Sequence, residues 1–183
     1  MRVRNWRTLL GAAVAVAAVA AGAVALATTA NAEITDGARY QIVAKSQDGA
    51  KFYLIGTGEL RSVSSASYTF VHTPCGKKSR VVCYEIQDHI GDDETCMFYW
   101  KDFDPDYEKI SYDGACGTSY QTHKWYVDSL DGGGVRFRPV SDPNMCLVYD
   151  PARLPDFLYT FIEPCSDNEV SETRFWFQRR GRS

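Results

Sequence analysis

No Cys-x-x-Cys pair occurs in the 183 residues, and the three histidines, His72, His89 and His123, stand far apart. Tetrahedral zinc sites draw on short spacings of these residue types, so this pattern argues against one, and no metal or cofactor is expected. There is no Gly-x-Ser-x-Gly elbow, no His-Glu-x-x-His and no phosphate-cradling glycine loop, and the glycines at 132–134 open no helix. Nucleophilic, metalloprotease and nucleotide chemistry therefore have no local signature. Acids are plentiful, but no spacing selects a pair for glycoside hydrolysis. A non-catalytic protein is expected. Basic residues are not in excess, at 20 against 23 acidic. After residue 32, no segment of ten or more residues carries a 3.6-residue apolar stripe, which leaves little room for helices.

What is present begins with Arg2, Arg4 and Arg7, an unbroken small-apolar run from Leu9 to Ala27, and Ala30-Asn31-Ala32. These are the charge, apolar core and Ala-x-Ala exit of a secretory signal peptide. The Ala/Val-rich composition resembles that of bacterial leaders. The run is weakly apolar per residue and leads into a cleavage site, so a permanent membrane anchor is the poorer reading. Residues 1–32 are expected to be removed, leaving residues 33–183 as one secreted domain without a membrane span. Its 151 residues suffice for a single core. The charges removed are all basic, so 17 basic residues then face 23 acidic ones, a net charge near −6. Nucleic acid and anionic membranes are poor partners for such a chain.

All six cysteines (Cys75, Cys83, Cys96, Cys116, Cys146, Cys165) follow the leader. An even count in an exported chain reads as three disulfides, with fifteen connectivities open. From Tyr40 onward, short pieces rich in β-branched and aromatic residues recur, such as Tyr40–Ala44, Lys51–Ile55, Val81–Ile86, Val135–Arg138 and Cys146–Tyr149. Turn formers separate them, among them Asp48-Gly49, Asp113-Gly114 and Asp131-Gly132-Gly133-Gly134. The pattern predicts an all-β domain.

The chain also resembles itself. Thr95-Cys96-Met97-Phe98-Tyr99-Trp100 matches Met145-Cys146-Leu147-Val148-Tyr149-Asp150. Gly114-Ala115-Cys116 and Glu163-Pro164-Cys165 follow at similar distances, and then Lys124-Trp125-Tyr126-Val127 and Phe175-Trp176-Phe177. A fainter first copy runs from Phe52-Tyr53-Leu54 to Thr69–Cys75, the latter echoing Thr160–Cys165. A unit of about fifty residues, repeated three times, fills the domain.

This arrangement resembles the ricin-type β-trefoil lectin family, whose repeats carry a Cys-Leu strand, a later strand ending in Cys, and a closing Gln-x-Trp strand. The resemblance covers residues 39–179 and implies a β-trefoil-like barrel of three degraded, disulfide-bonded repeats. It implies the pairs Cys96–Cys116 and Cys146–Cys165, leaving Cys75 and Cys83 to pair across a short loop. Cys75 to Cys96 spans 21 positions where Cys116 to Cys146 spans 30. One strand and its turn are therefore expected to be missing or fused at the first junction. The closures read His123-Lys124-Trp125 and Arg174-Phe175-Trp176, with both tryptophans expected as core plugs.

In that family an aspartate two residues after a repeat's first cysteine accepts hydrogen bonds from sugar hydroxyls. Phe98 and Val148 stand there and accept none. Asp102 and Asp150 are displaced carboxylates; with Trp100 and Tyr149 they are the candidate ligand-binding residues. Tyrosine recurs at 99, 107, 112, 120, 149 and 159, expected as loop positions that suit a binding surface. Asp102-Phe103-Asp104-Pro105-Asp106, with Asp113, alternates oxygen ligands as a calcium loop does. However, Tyr107 replaces the required glycine and Pro105 stiffens the loop, so an acidic hairpin tip is expected, as at Asp92-Asp93-Glu94. The expected function is recognition of a secreted or cell-surface protein, as an adaptor subunit of an exported, toxin-like assembly. The alternatives are a ricin-type lectin binding glycan at a cell wall or surface, and an inhibitor of a secreted hydrolase.

Overall fold

The computed structural model describes residues 34–35, 37–56, 58–76, 81–89, 95–100, 109–117, 121–167 and 169–180, with 100 and 109–115 described by backbone alone. The expected leader (1–32), Asp102 and the acidic runs at 92–94 and 102–106 lie outside the described residues.

The described chain is all-β: β1 (Arg39–Lys45), β2 (Lys51–Leu54), β3 (Leu60–Arg61), β4 (Tyr68–Pro74), β5 (Val82–Asp88), β6 (Thr95–Trp100), β7 (Lys109–Ala115), β8 (Lys124–Ser129), β9 (Val135–Pro139), β10 (Met145–Val148), β11 (Phe161–Pro164) and β12 (Trp176–Arg179). A single 3-10 turn, Gln121–His123, precedes β8. Among the described residues no helix is long and apolar enough to cross a membrane. All neighbouring strands run antiparallel in a strongly curled sheet, with β10–β11 as a separate hairpin.

The pairings follow a circuit. β1 pairs β4 through Tyr40↔Tyr68, β4 pairs β5 along seven residues, β5 pairs β8 through Tyr84↔Trp125, and β8 pairs β9. A bridge at Val135↔Phe175 then leads to β12, which pairs β1 from Tyr40↔Arg179 to Val43↔Trp176. Two strands divide one edge between two partners. β1 gives residues 39–40 to β4 and 43–45 to β2, while β5 gives 84–85 to β8 and 87–88 to β6. Such forks turn the sheet at a corner and leave β2–β3 and β6–β7 as hairpins on the circuit.

The alternation of residue types sets the inner and outer faces of the sheet. In β9, Val135, Phe137 and Pro139 are buried while Arg136 and Arg138 face outward toward Asp128. Ile42, Ile86 and Phe137 occupy like places on β1, β5 and β9, all without solvent exposure. Phe70 lies 4.9 Å from Phe177 and 6.4 Å from Phe137, so rings from β4, β9 and β12 meet inside. One fully buried aromatic closes each corner: Tyr68, Trp125 and Phe175. Tyr68 donates its hydroxyl to Leu54 O at 2.9 Å, and Trp125 donates Nε1–H to Met97 O at 2.9 Å, tying each plug to its hairpin.

One sequence expectation shifts here. Phe175, not Trp176, is the third plug, because Phe175 faces Val135 and the next residue of an extended chain points the other way. Trp176 is half-buried on the outer side. At the first junction, among the described residues, β5 follows β4 and pairs with it along seven residues. Cys75 directly follows β4, and Cys116 directly follows β7. The disulfides are Cys75–Cys83, Cys96–Cys116 and Cys146–Cys165. The first ties two successive strands; the others each close a hairpin.

Candidate functional site

A cleft of about 510 Å³ opens where β1 ends and β12 begins. Lys45, the last residue of β1, and Trp176, the first of β12, bring their side chains together: the Lys45 ammonium lies 4.0 Å from the centre of the indole. Arg174 and the turn residues Ser46, Gln47 and Pro151 complete the walls, with Val170 and Ser171 at the rim. Among the described residues no acidic side chain lines it.

Tyr149 is the floor. Its hydroxyl accepts from Lys45 N–H at 3.2 Å and donates to Arg174 O at 3.0 Å, so one oxygen fixes both backbone segments that carry the cations. Its ring packs 5.1 Å from Phe175, only 2% of the residue is exposed, and burial pushes the phenol's pKa up. Arg174 is set from the other side. Its Nη2 donates to Asp131 O at 2.7 Å, and a Cβ at Gly134, whose φ is +84°, would come 2.6 Å from Phe175 O and 2.9 Å from Arg174 Cγ. The glycines of the β8–β9 turn thus make room for the arginine. The Ser46 turn is held by Asp48, whose carboxyl accepts from the Ser46 hydroxyl and from Ala50 N–H; these bonds hold its pKa below the usual carboxylate range.

A second feature lies on the loop from Pro151 to Thr160. The Arg153 guanidinium sits 4.3 Å from the Phe157 ring centre, Phe157 stacks on Phe161 at 5.3 Å and 14°, and Tyr159 packs edge-on to Phe157 at 5.8 Å. Tyr159 is 52% exposed. The loop is sewn to the β2–β3 hairpin by Leu60 N–H to Leu158 O at 2.6 Å, by Thr160 N–H to Gly58 O at 2.9 Å and by the bridge Glu59↔Tyr159. These aromatics are displayed on a fixed backbone.

The sequence candidates separate. Asp150 caps its own turn, with Oδ1 accepting from Ala152 N–H at 2.9 Å and Arg153 N–H at 3.2 Å. Tyr149 is buried, and Tyr99 is a core residue of β6 rather than a loop tyrosine. Trp100 is described only through its backbone pairing with Lys109, and Asp102 lies outside the described residues. Val148 is buried and Phe98 packs 5.4 Å from His123, so neither place offers a carboxylate. Among the described residues, no three His, Cys, Asp or Glu side chains gather as a metal site. Sequence reasoning missed Lys45, Arg174, Phe157 and Phe161. The cysteine-anchored comparison directed attention to the hairpin strands, whereas the cleft joins the two ends of the chain.

No protein-family profile and no curated protein matches this chain. Among solved structures it is similar to a chain of the cytolethal distending toxin from Actinobacillus actinomycetemcomitans, at 15% identity over 75% of this chain and 88% of that chain, TM-score 0.45. It is likewise similar to a chain of the Haemophilus ducreyi cytolethal distending toxin, at 14% identity over 75% and 81%, TM-score 0.44.

Proposed function

We propose that the protein is a secreted, non-catalytic recognition module of ricin-type β-trefoil architecture that binds a protein partner, as an adaptor subunit of an exported assembly. Supporting the architecture are three successive groups of four strands, each with a middle hairpin and a buried aromatic before or at the start of its fourth strand. Three disulfides suit an oxidising compartment.

The observation that carries the partner class is the Arg153–Phe157–Phe161 stack with Tyr159 beside it. Aromatic and arginine side chains are enriched where proteins meet, and here the loop and the first residue of β11 present four of them together. Phe98 and Val148 stand where the family has its carboxylates, and Asp150 is engaged in its own turn, which weighs against sugar recognition at these positions. The test is affinity capture from the producing organism's culture supernatant with the tagged protein and with Tyr159→Ala and Arg153→Ala. A stoichiometric co-exported protein, lost with the variants while thermal unfolding is unchanged, is the expected result. Retention on cell-wall polysaccharide and release by free sugar, with no protein captured, overturns this reading in favour of the lectin.

A further inference from the structure

The cleft at the β1–β12 end concentrates positive charge on a chain whose acids outnumber its bases. Among the described residues the ion pairs are Arg61–Glu59, Arg136–Asp128 and Arg138–Asp128; neither Lys45 nor Arg174 has a carboxylate partner. The indole near Lys45 attracts the ammonium without neutralising it. Arg174 gives one N–H group to Asp131 O and has further donors on the same fork. Two cations beside an aromatic wall, placed by the buried Tyr149 hydroxyl and by a glycine turn, form a built site and not a chance surface pair.

We infer that this cleft binds an acidic peptide segment of the protein partner, its carboxylates met by Lys45 and Arg174 and its backbone by Gln47. The inference rests on the protein-binding reading above. Charge selects the ligand: both charged groups only donate, so they suit carboxylates, whereas a neutral sugar's hydroxyls also need acceptors. The Gln47 carboxamide in the wall has both N–H donors and a carbonyl acceptor, complementary to the C=O and N–H of an extended peptide. The volume lies within the range of pockets that hold small ligands or a few residues of peptide.

The probe is a blocked decapeptide of alternating Glu and Ser, with its Gln–Ser counterpart as control, titrated calorimetrically into the purified, oxidised protein. Saturable binding of the Glu–Ser peptide is expected. It should weaken by about tenfold or more in Lys45→Gln, in Arg174→Gln and on raising salt from about 0.05 M to about 0.5 M. Lys45 is the safer variant, because Arg174 also packs against Gly134. Equal binding of the Gln–Ser peptide, no saturable binding at millimolar peptide, full binding by Lys45→Gln, or binding of an oligouronate in place of the peptide would each overturn the inference. The two readings fail separately. A partner still captured by Lys45→Gln at wild-type yield, with no peptide bound, removes the cleft alone; polysaccharide retention without a protein partner removes the protein-binding reading itself.

Discussion

Phe175 and Trp176 are adjacent in sequence and belong to different regions of the molecule. Phe175 lies inside the circuit of strands with no solvent exposure, bonded through its backbone to Val135 in both directions at 2.7 and 2.8 Å. Trp176 lies on the rim, half-buried, beside the Lys45 ammonium. The same contrast separates Tyr68 and Trp125, whose polar atoms are bonded to hairpin carbonyls, from Tyr159, whose ring is half in water. Residue type does not distinguish core from rim in this chain. Surroundings do: Phe175 packs against the Phe137 and Tyr149 rings, whereas Trp176 lies beside an ammonium and Tyr159 keeps half its surface in water.

The strongest way to break that comparison is to truncate the neighbours one at a time. Phe175→Ala should lower stability by about 3–5 kcal/mol, as buried large-to-small changes do. Trp176→Ala should cost no more than about 1 kcal/mol while weakening peptide binding. Urea denaturation midpoints decide it: equal losses would mean that plug and rim residue are not distinct. Next in size is the Cys146–Cys165 bridge, whose cysteines are 19 residues apart and whose hairpin carries the aromatic loop between its strands. Replacing both cysteines by serine should cost about 3 kcal/mol through loop entropy. An undiminished thermal midpoint would show that the β10–β11 pairing holds the rim unaided.

Tyr149 sharpens the comparison because it is a core residue serving the rim. Tyr149→Phe preserves the packing against Phe175 but removes the acceptor of Lys45 N–H and the donor to Arg174 O. A loss of about 1–3 kcal/mol follows from two part-buried groups left unmatched. Calorimetric unfolding would give the stability term and peptide titration the site term. Retained affinity in the folded variant would show that the hydroxyl does not place the cations.

Much of the architecture was legible because cysteine spacing and strand composition are local signals. The hairpins at β6–β7 and β10–β11 fall where the repeated cysteines suggest, and the three disulfides are those the ricin-type resemblance implies. Register is a finer property. Aligning Trp176 with Trp125 misplaced the third plug by one residue, and in a strand one residue changes faces. The echo of Thr160–Cys165 in Thr69–Cys75 similarly equated β11 with β4, although one forms a hairpin and the other joins the circuit. Lys45 and Arg174 were out of reach for another reason. They lie 129 positions apart, and their meeting depends on β12 closing on β1, a pairing that no motif marks.

The smallest expected effect tests whether the interior imposes on a titratable group what the rim does not. His123 stands in the 3-10 turn before Trp125, 8% exposed and against Phe98, where the repeat comparison aligns a glutamine. Burial holds its imidazole pKa below the ordinary 6.5, with the charge of Glu85 opposing the shift. The folded state therefore binds fewer protons than the unfolded chain once pH falls through 6.5. Its contribution is complete above that value and is lost progressively as pH drops toward the folded pKa. Unfolding midpoints of the wild type should fall between about pH 7.5 and about pH 5 more steeply than those of His123→Gln, which has no group to titrate there. Parallel profiles would mean that the turn admits enough water to keep imidazolium as comfortable folded as unfolded, and that this corner of the interior behaves as rim.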